Sequence, residues 1–182
     1  MPYYRLASDV FQDYAIYHAP QLPLGISIKG RMIDASSISP LEFKTDNTTE
    51  CPPDDYPGSE IPVLSERFIE VLRCAGVDNI QTIDALLVNP DTGDRWDKGF
   101  KAVNFIGVLD CVDLNQSDAD LICPGLYAFR DIAIVKRLAK GLRCFRIAQY
   151  PSTIVFDECV VDYIDNEASY LKGMVFYELL EV

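Results

Sequence analysis

The stretch of residues 64–88 reads LSERFIEVLRCAGVDNIQTIDALLV and contains the clearest helix and strand signals of the chain. Its first half has apolar residues at helical spacing, and these are Phe68, Ile69, Val71, Leu72 and Ala75. Ser65 is suited to the N-cap and Gly76 to the C-terminal stop, so the pattern predicts a helix over about residues 65–75. The second half, Ile80–Val88, is rich in β-branched and aliphatic residues and predicts a strand.

Beyond this stretch, a dense turn signal and a second alternating run predict an antiparallel pair of strands. Residues 89–93, NPDTG, favour a turn. The alternation over residues 100–112 predicts a second long strand that pairs with the first across a connection at residues 89–99. Shorter strand signals lie at residues 3–6, 14–17, 26–29, 126–129, 132–135, 144–147, 153–156 and 174–180. Residues 135–139 also fit a helical turn.

A second helix is predicted after Asp157, over about residues 158–168. Its apolar stripe consists of Val160, Val161, Ile164 and Ala168. Glu158, Asp162 and Asp165 fall on the opposite face, so the helix should dock with an acidic side outward. Because helices and strands alternate without a regular βαβ rhythm, we expect an α+β fold, with a mainly antiparallel sheet and two principal helices packed on it.

Length and composition predict a single domain over residues 1–182. An acidic, proline-rich connection at residues 45–62 separates a strand-rich N-terminal part, residues 1–44, from a better patterned body, residues 60–182. The prolines that block both helix and central strand in this connection are Pro52, Pro53, Pro57 and Pro62.

The charge balance restricts the kind of partner. The chain has 28 acidic and 16 basic residues, which gives a formal net charge of −12. A field of this sign repels phosphate backbones and anionic lipids, so it disfavours nucleic-acid and membrane partners and favours a basic protein. No apolar run reaches transmembrane length, and the first residues lack the apolar core of a signal peptide. The sequence therefore predicts a cytoplasmic protein, and a homo-oligomer stays open.

Patterns that carry catalysis are scarce. His18 is the only histidine, so nucleophile–histidine systems and mixed Cys/His metal sites lack their components. Glycine-rich phosphate-binding motifs are absent as well. We therefore expect no catalytic residue, no metal and no cofactor. The six cysteines form no CxxC pair, and we expect them to be reduced and mostly buried.

Two patterns keep other functions open. Four carboxylates would suit a cation site in a hydrolytic enzyme, although such strings also form turns, and they are Asp110, Asp113, Asp118 and Asp120. Six cations would suit a nucleic-acid or regulatory surface, and they are Arg130, Lys136, Arg137, Lys140, Arg143 and Arg146. A simpler interpretation pairs these cations with the acidic stretch at residues 42–66 or with the acidic helix, internally or in a dimer. Arg146 and Asp110 also fit an internal ion pair.

From about residue 56 to the end, the chain carries an ordered series of short motifs. They are IPVLSER at 61–67, VNFI at 103–106, LDCVD at 109–113 followed by Ser117, CFRI at 144–147, IVFDE at 154–158 and LKGMVF at 171–176. In its order and spacing this series resembles a family of bacterial immunity proteins associated with polymorphic and contact-dependent toxin systems.

The resemblance implies a non-enzymatic cytoplasmic antitoxin. Such a protein binds a cognate secreted effector and blocks its active site or substrate groove, and the acidity of this chain favours a basic toxin. We expect partner binding first on the acidic helix face and second on the proline-broken loop. The residues concerned are Glu158, Asp162 and Asp165 on the helix, and Asp54, Asp55, Tyr56 and Glu60 in the loop.

Overall fold

The structure, a computed structural model, describes residues 1–9, 11, 14–23, 26 and 28–182. Strands take up 40% of it and helices 13%. The helices are α1 (Glu66–Cys74), α2 (Lys136–Ala139) and α3 (Glu158–Glu167). The strands are β1 (Tyr3–Ser8), β2 (Ile16–His18), β3 (Leu41–Thr45), β4 (Val63–Ser65), β5 (Ile80–Val88), β6 (Arg95–Trp96), β7 (Phe100–Phe105), β8 (Val108–Leu109), β9 (Asp118–Cys123), β10 (Leu126–Asp131), β11 (Ala133–Ile134), β12 (Cys144–Ile147), β13 (Tyr150–Asp157), β14 (Met174–Glu178) and β15 (Leu180–Glu181).

Two larger sheets organise the described chain. One has five strands in the order β14-β1-β13-β12-β8, and the other has the path β2-β3-β5-β7-β4 with β6 added beside β5. The fold is α+β, as expected, but the expectation of a mainly antiparallel sheet was wrong because both larger sheets are mixed. β8 runs parallel to β12 in the first sheet, and β3 runs parallel to β5 in the second.

Both principal helices form where the sequence predicts them. The Ser65 hydroxyl accepts a hydrogen bond from the Phe68 backbone N–H at 3.1 Å and so caps α1. Gly76 follows the end of α1 with φ = 89°, a backbone conformation that favours glycine, and it stops the helix. The carboxylate of Asp157 caps α3 by accepting from the Val160 N–H at 3.0 Å.

Several strand predictions needed correction. The strand expected over residues 100–112 breaks after Phe105, because Gly107 has φ = 105° and the chain continues into the other sheet as β8. Residues 26, 28 and 29 belong to no strand, and residue 27 lies outside the described residues. The pairing of β5 with β7 is antiparallel, as expected, with Ile83 opposite Ala102.

The central core lies where the helices meet the two sheets. Phe68 and Leu72 of α1 and Ile164 of α3 are almost fully buried there. The rings of Phe105 and Phe156, one from each larger sheet, pack edge to face at 5.7 Å between centroids. The central core therefore joins both sheets and fixes how α3 is presented.

The middle of the five-stranded sheet, formed by β12 and the second half of β13, is buried on both faces. Phe156 points into the central core, whereas its neighbour Val155 packs on the opposite face with Tyr3, Phe145 and Ile147. Strands that are covered on both faces have continuous runs of apolar residues, which explains the strong strand signals at residues 144–147 and 153–156.

The cysteines are all free thiols, but their placement differs from the expectation. Cys111 and Cys144 are buried and Cys159 is half-buried, whereas Cys51, Cys74 and Cys123 are exposed. The prediction of mostly buried thiols was therefore wrong. Among the described residues, no helix has the length and apolarity needed to cross a membrane.

Candidate partner-binding groove

The acidic face of α3 is exposed because its other face anchors the helix. Val160, Val161 and Ile164 are buried in the central core. Asp162 and Asp165 are consequently exposed, and Glu158 in the first turn is half-buried. The structure thus places all three predicted helix residues on the outer side of the helix.

An open groove of 390 Å³ lies beside this face, between α3 and β14. Asp162 and Asp165 belong to its lining, together with side chains from β1 and from the segment after α3. Its apolar lining residues are Tyr4, Val161, Ile164, Ala168, Leu171, Met174, Val175 and Phe176. β14 is an edge strand, since β1 is the only described strand that pairs with it. We call this concavity the acidic groove.

Asp162 and Asp165 line the acidic groove, and two further carboxylates, Glu158 and Glu178, also act on Tyr4 at its edge. The pKa of the Tyr4 hydroxyl is raised above 10.0, first by burial and then by the negative charges of Glu178, Glu158, Asp162 and Asp165. Glu178 lies directly opposite Tyr4 in the pairing of β1 with β14. Within the described chain, none of these four carboxylates forms an ion pair. The acidic groove therefore carries uncompensated negative charge above an apolar floor.

Asp55 and Tyr56, expected in the second partner-binding segment, are buried. Asp55 is 1% exposed, and its carboxylate accepts hydrogen bonds from the Ser65 hydroxyl at 2.5 Å and from the Lys172 N–H at 3.0 Å. Arg67 completes this arrangement with a two-point ion pair to the same carboxylate. The Tyr56 ring lies in the central core, and burial raises the pKa of its hydroxyl. These two side chains stabilise the fold and offer no surface to a partner.

The other two loop residues are more accessible. Asp54 is half-buried. Burial raises the pKa of its carboxyl group, although the positive charge of Lys172 lowers it in part. Glu60 is exposed and lines a separate cleft beside the N-terminal segment. The loop therefore does not form one continuous acidic surface.

The four carboxylates that would suit a cation site are each engaged by another partner. Arg130 binds Asp118 at 2.5 Å and Asp120 at 2.7 Å. Asp113 accepts from the Asn115 N–H within its own turn, and Asp110 accepts from the amide of Gln149. No group of three or more metal-ligating side chains occurs among the residues that the structure describes.

Most of the basic run is engaged, but not with the partners we expected. Lys136 binds Glu181 at 2.6 Å, and Arg143 lies 3.8 Å from Asp157. Arg146 is buried and makes no pair with Asp110; its guanidinium donates to backbone carbonyls instead. Within the described part of the chain, these three cations make no ion pair with residues 42–66 or with Asp110, and the one contact with the acidic helix is that of Arg143 with its N-cap Asp157. Pairing of these cations across a dimer stays a hypothesis.

Sequence reasoning missed the β-strand side of the acidic groove. Tyr4, Met174, Phe176 and Glu178 come from the two ends of the chain, and the pairing of β1 with β14 brings them beside α3. The terminal strand itself was predicted, but nothing in its local pattern indicated its partner.

No family model and no curated protein sequence matches this chain.

Proposed function

We propose that this protein is a cytoplasmic immunity protein that binds a cognate basic toxin and blocks its active site or substrate groove. It acts by binding and not as an enzyme. The observation that carries the proposal is the acidic groove, whose apolar floor is lined by Asp162 and Asp165, with Glu158 and Glu178 also acting on its Tyr4. None of these four carboxylates has an ion-pair partner among the described residues. The ordered motifs between residues 56 and 182, which resemble immunity proteins, support the same function.

The chemistry of the acidic groove suits a surface rich in lysine and arginine. The long side chains of these residues carry apolar stems that can cover the floor while their charged ends reach the carboxylates of Asp162 and Asp165. Complementary charge speeds the encounter of the two proteins, and burial of the apolar floor slows their dissociation. Salt should therefore weaken binding mainly by lowering the association rate.

Co-expression with the product of the adjacent gene tests the proposed function, which predicts that this product is a secreted effector. The expected result is that the effector alone stops growth and that co-expression of this protein restores it. If the neighbouring product is harmless, or if it remains toxic in the presence of this protein, the immunity function is wrong.

Charge reversal tests the acidic groove itself. The double variant Asp162→Lys, Asp165→Lys should lose binding to the effector, measured as association and dissociation rates at two salt concentrations. The matched control is Glu50→Lys, Asp91→Lys, which makes the same charge change at two exposed positions away from the groove. If both variants bind equally well, the acidic groove is not the interface, whether or not the protein confers immunity.

A further inference from the structure

A second concavity, of 660 Å³, lies between the N-terminal segment and the end of the connection before β4. Its described lining includes Ile28, Lys29, Glu60 and Arg146. None of these residues belongs to the acidic groove. We call this concavity the Arg146 cleft.

Arg146 is a buried cation without a described counter-ion. The residue is 1% exposed, and no carboxylate of a described residue lies within 4.0 Å of its guanidinium. Burial lowers the pKa of Arg146 from its ordinary value of 12.5, which reflects the cost of holding the charge there. A buried charge is costly unless opposite charge or good acceptors surround it.

Backbone carbonyls supply only part of that compensation. The guanidinium donates from Nε to the Phe105 carbonyl at 3.1 Å, from Nη1 to Pro151 at 2.6 Å and from Nη2 to Ile28 at 3.5 Å. An arginine has five N–H donors, so these contacts use three of them. The contacts also fix the guanidinium, because the three carbonyls come from three different segments of the chain.

The rim of the Arg146 cleft carries charges of both signs. Lys29 and His18 are exposed on it, and Glu60 is exposed on it as well. Arginine binds carboxylate and phosphate oxygens by paired, charge-assisted hydrogen bonds. The volume of the cleft falls in the range of small-molecule sites.

We propose that the Arg146 cleft binds a small molecule through one oxyanion group, a carboxylate or a phosphate. The remaining N–H groups of Arg146 bind the oxyanion, Lys29 attracts it, and Glu60 disfavours ligands of higher negative charge. This inference is independent of toxin binding, because it concerns different residues and requires no protein partner.

An NMR titration of the full chain tests the proposal, with acetate and inorganic phosphate as separate probes and sodium chloride at matched ionic strength as the control. We expect saturable shifts of the amide signals of Lys29, Ile61 and other cleft residues with at least one probe and none with chloride. Acetate binding identifies a carboxylate ligand, and phosphate binding identifies a phosphate ligand. If neither probe causes saturable shifts at the cleft, the proposal is wrong.

Variants that remove one positive or one negative charge from the rim distinguish binding in this cleft from non-specific attraction to the protein surface. Lys29→Gln should weaken binding about two- to fivefold, and Glu60→Gln should strengthen it by a similar factor. Arg146→Lys keeps the charge but loses the paired donors, so binding should weaken by about tenfold or more. Lys98→Gln, at an exposed site outside the cleft, is the control and should change nothing. If Arg146→Lys does not fold, the opposite effects at Lys29 and Glu60 decide the test, and their absence overturns the proposal.

Discussion

Ser65 and Asp55 are joined by two hydrogen bonds. The Ser65 backbone N–H donates to the Asp55 carbonyl oxygen at 2.9 Å, and the Ser65 hydroxyl donates to the Asp55 carboxylate at 2.5 Å. The same hydroxyl oxygen accepts from the Phe68 N–H at the start of α1. One serine therefore caps a helix and anchors the proline-rich connection to it.

This relationship predicts that Asp55→Ala destabilises the protein. The substitution leaves the buried Ser65 hydroxyl and the Lys172 N–H without their acceptor and removes the ion pair to Arg67. Hydrogen bonds to buried charged groups are each worth about 1.5–3 kcal/mol, so we expect the free energy of unfolding to fall by about 3 kcal/mol. Chemical denaturation monitored by circular dichroism measures this difference.

The adjacent residue supplies a matched control. Burial raises the folded-state pKa of Asp54 above 3.8, so its charged form is disfavoured in the folded protein. Asp54→Asn should therefore leave the stability at neutral pH unchanged or slightly higher. Equal losses for Asp54→Asn and Asp55→Ala would contradict the assignment of the anchoring role to Asp55.

Neutralising the acidic face of α3 should change the titration of Tyr4. In the triple variant Glu158→Gln, Asp162→Asn, Asp165→Asn, we expect the pKa of Tyr4 to fall because three negative charges that raise it are removed. It should remain above 10.0 because burial, the largest cause, and Glu178 both remain. The Tyr4 ring carbon signals, followed by NMR against pH, measure this shift. An unchanged pKa would show that these carboxylates do not act on Tyr4 across the acidic groove.

The ion pair between Asp118 and Arg130 predicts a pH-dependent contribution to stability. Hydrogen bonding to Arg130 lowers the folded-state pKa of Asp118 below 3.8, so its contribution is present above that pH and is lost as the pH falls through the lowered value. Asp118→Asn should lower the melting temperature slightly near neutral pH, and the difference from wild type should vanish in acid. The contribution is small because Asp118 and Arg130 are both more than half exposed. A melting-temperature difference that grows as the pH falls would contradict the predicted direction of the pH dependence.

The helices were predictable because their signals are local. Ser65, Gly76 and Asp157 mark helix ends through contacts with neighbouring residues, and the apolar stripes of α1 and α3 occur at helical spacing. The alternation of Leu41, Glu42, Phe43, Lys44 and Thr45 matches the alternating burial of β3 and was a strand signal that we missed.

The strand partners could not be predicted in the same way. The parallel pairs β3–β5 and β8–β12 join segments far apart in sequence, and no local pattern specifies such pairing. The acidic groove shows the same limit. Asp162 is found from helical periodicity, whereas Phe176 lines the groove and Glu178 lies opposite Tyr4 only through the register of β14 on β1. Asp55 was expected on the surface because its burial depends on Ser65 and Arg67, which follow it by 10 and 12 residues.

The cysteines provide a direct test of the packing of the five-stranded sheet. Thiolates react with disulfide reagents and thiols do not. Burial, with a smaller effect of Asp110, raises the pKa of Cys111 to about 12, and burial also raises the pKa of Cys144. A disulfide reagent at pH 8 should therefore leave both thiols unmodified in the native protein.

The expected result separates the cysteines into distinct classes. Cys51, Cys74 and Cys123 are exposed and should react within minutes, and the half-buried Cys159 should react more slowly. Cys111 and Cys144 should react only after denaturant exposes them, at a rate that follows unfolding. Peptide mapping by mass spectrometry identifies each modified site. Rapid modification of Cys144 in the native protein would contradict its burial in the central core, where it belongs to the same buried cluster as Phe105 and Phe156.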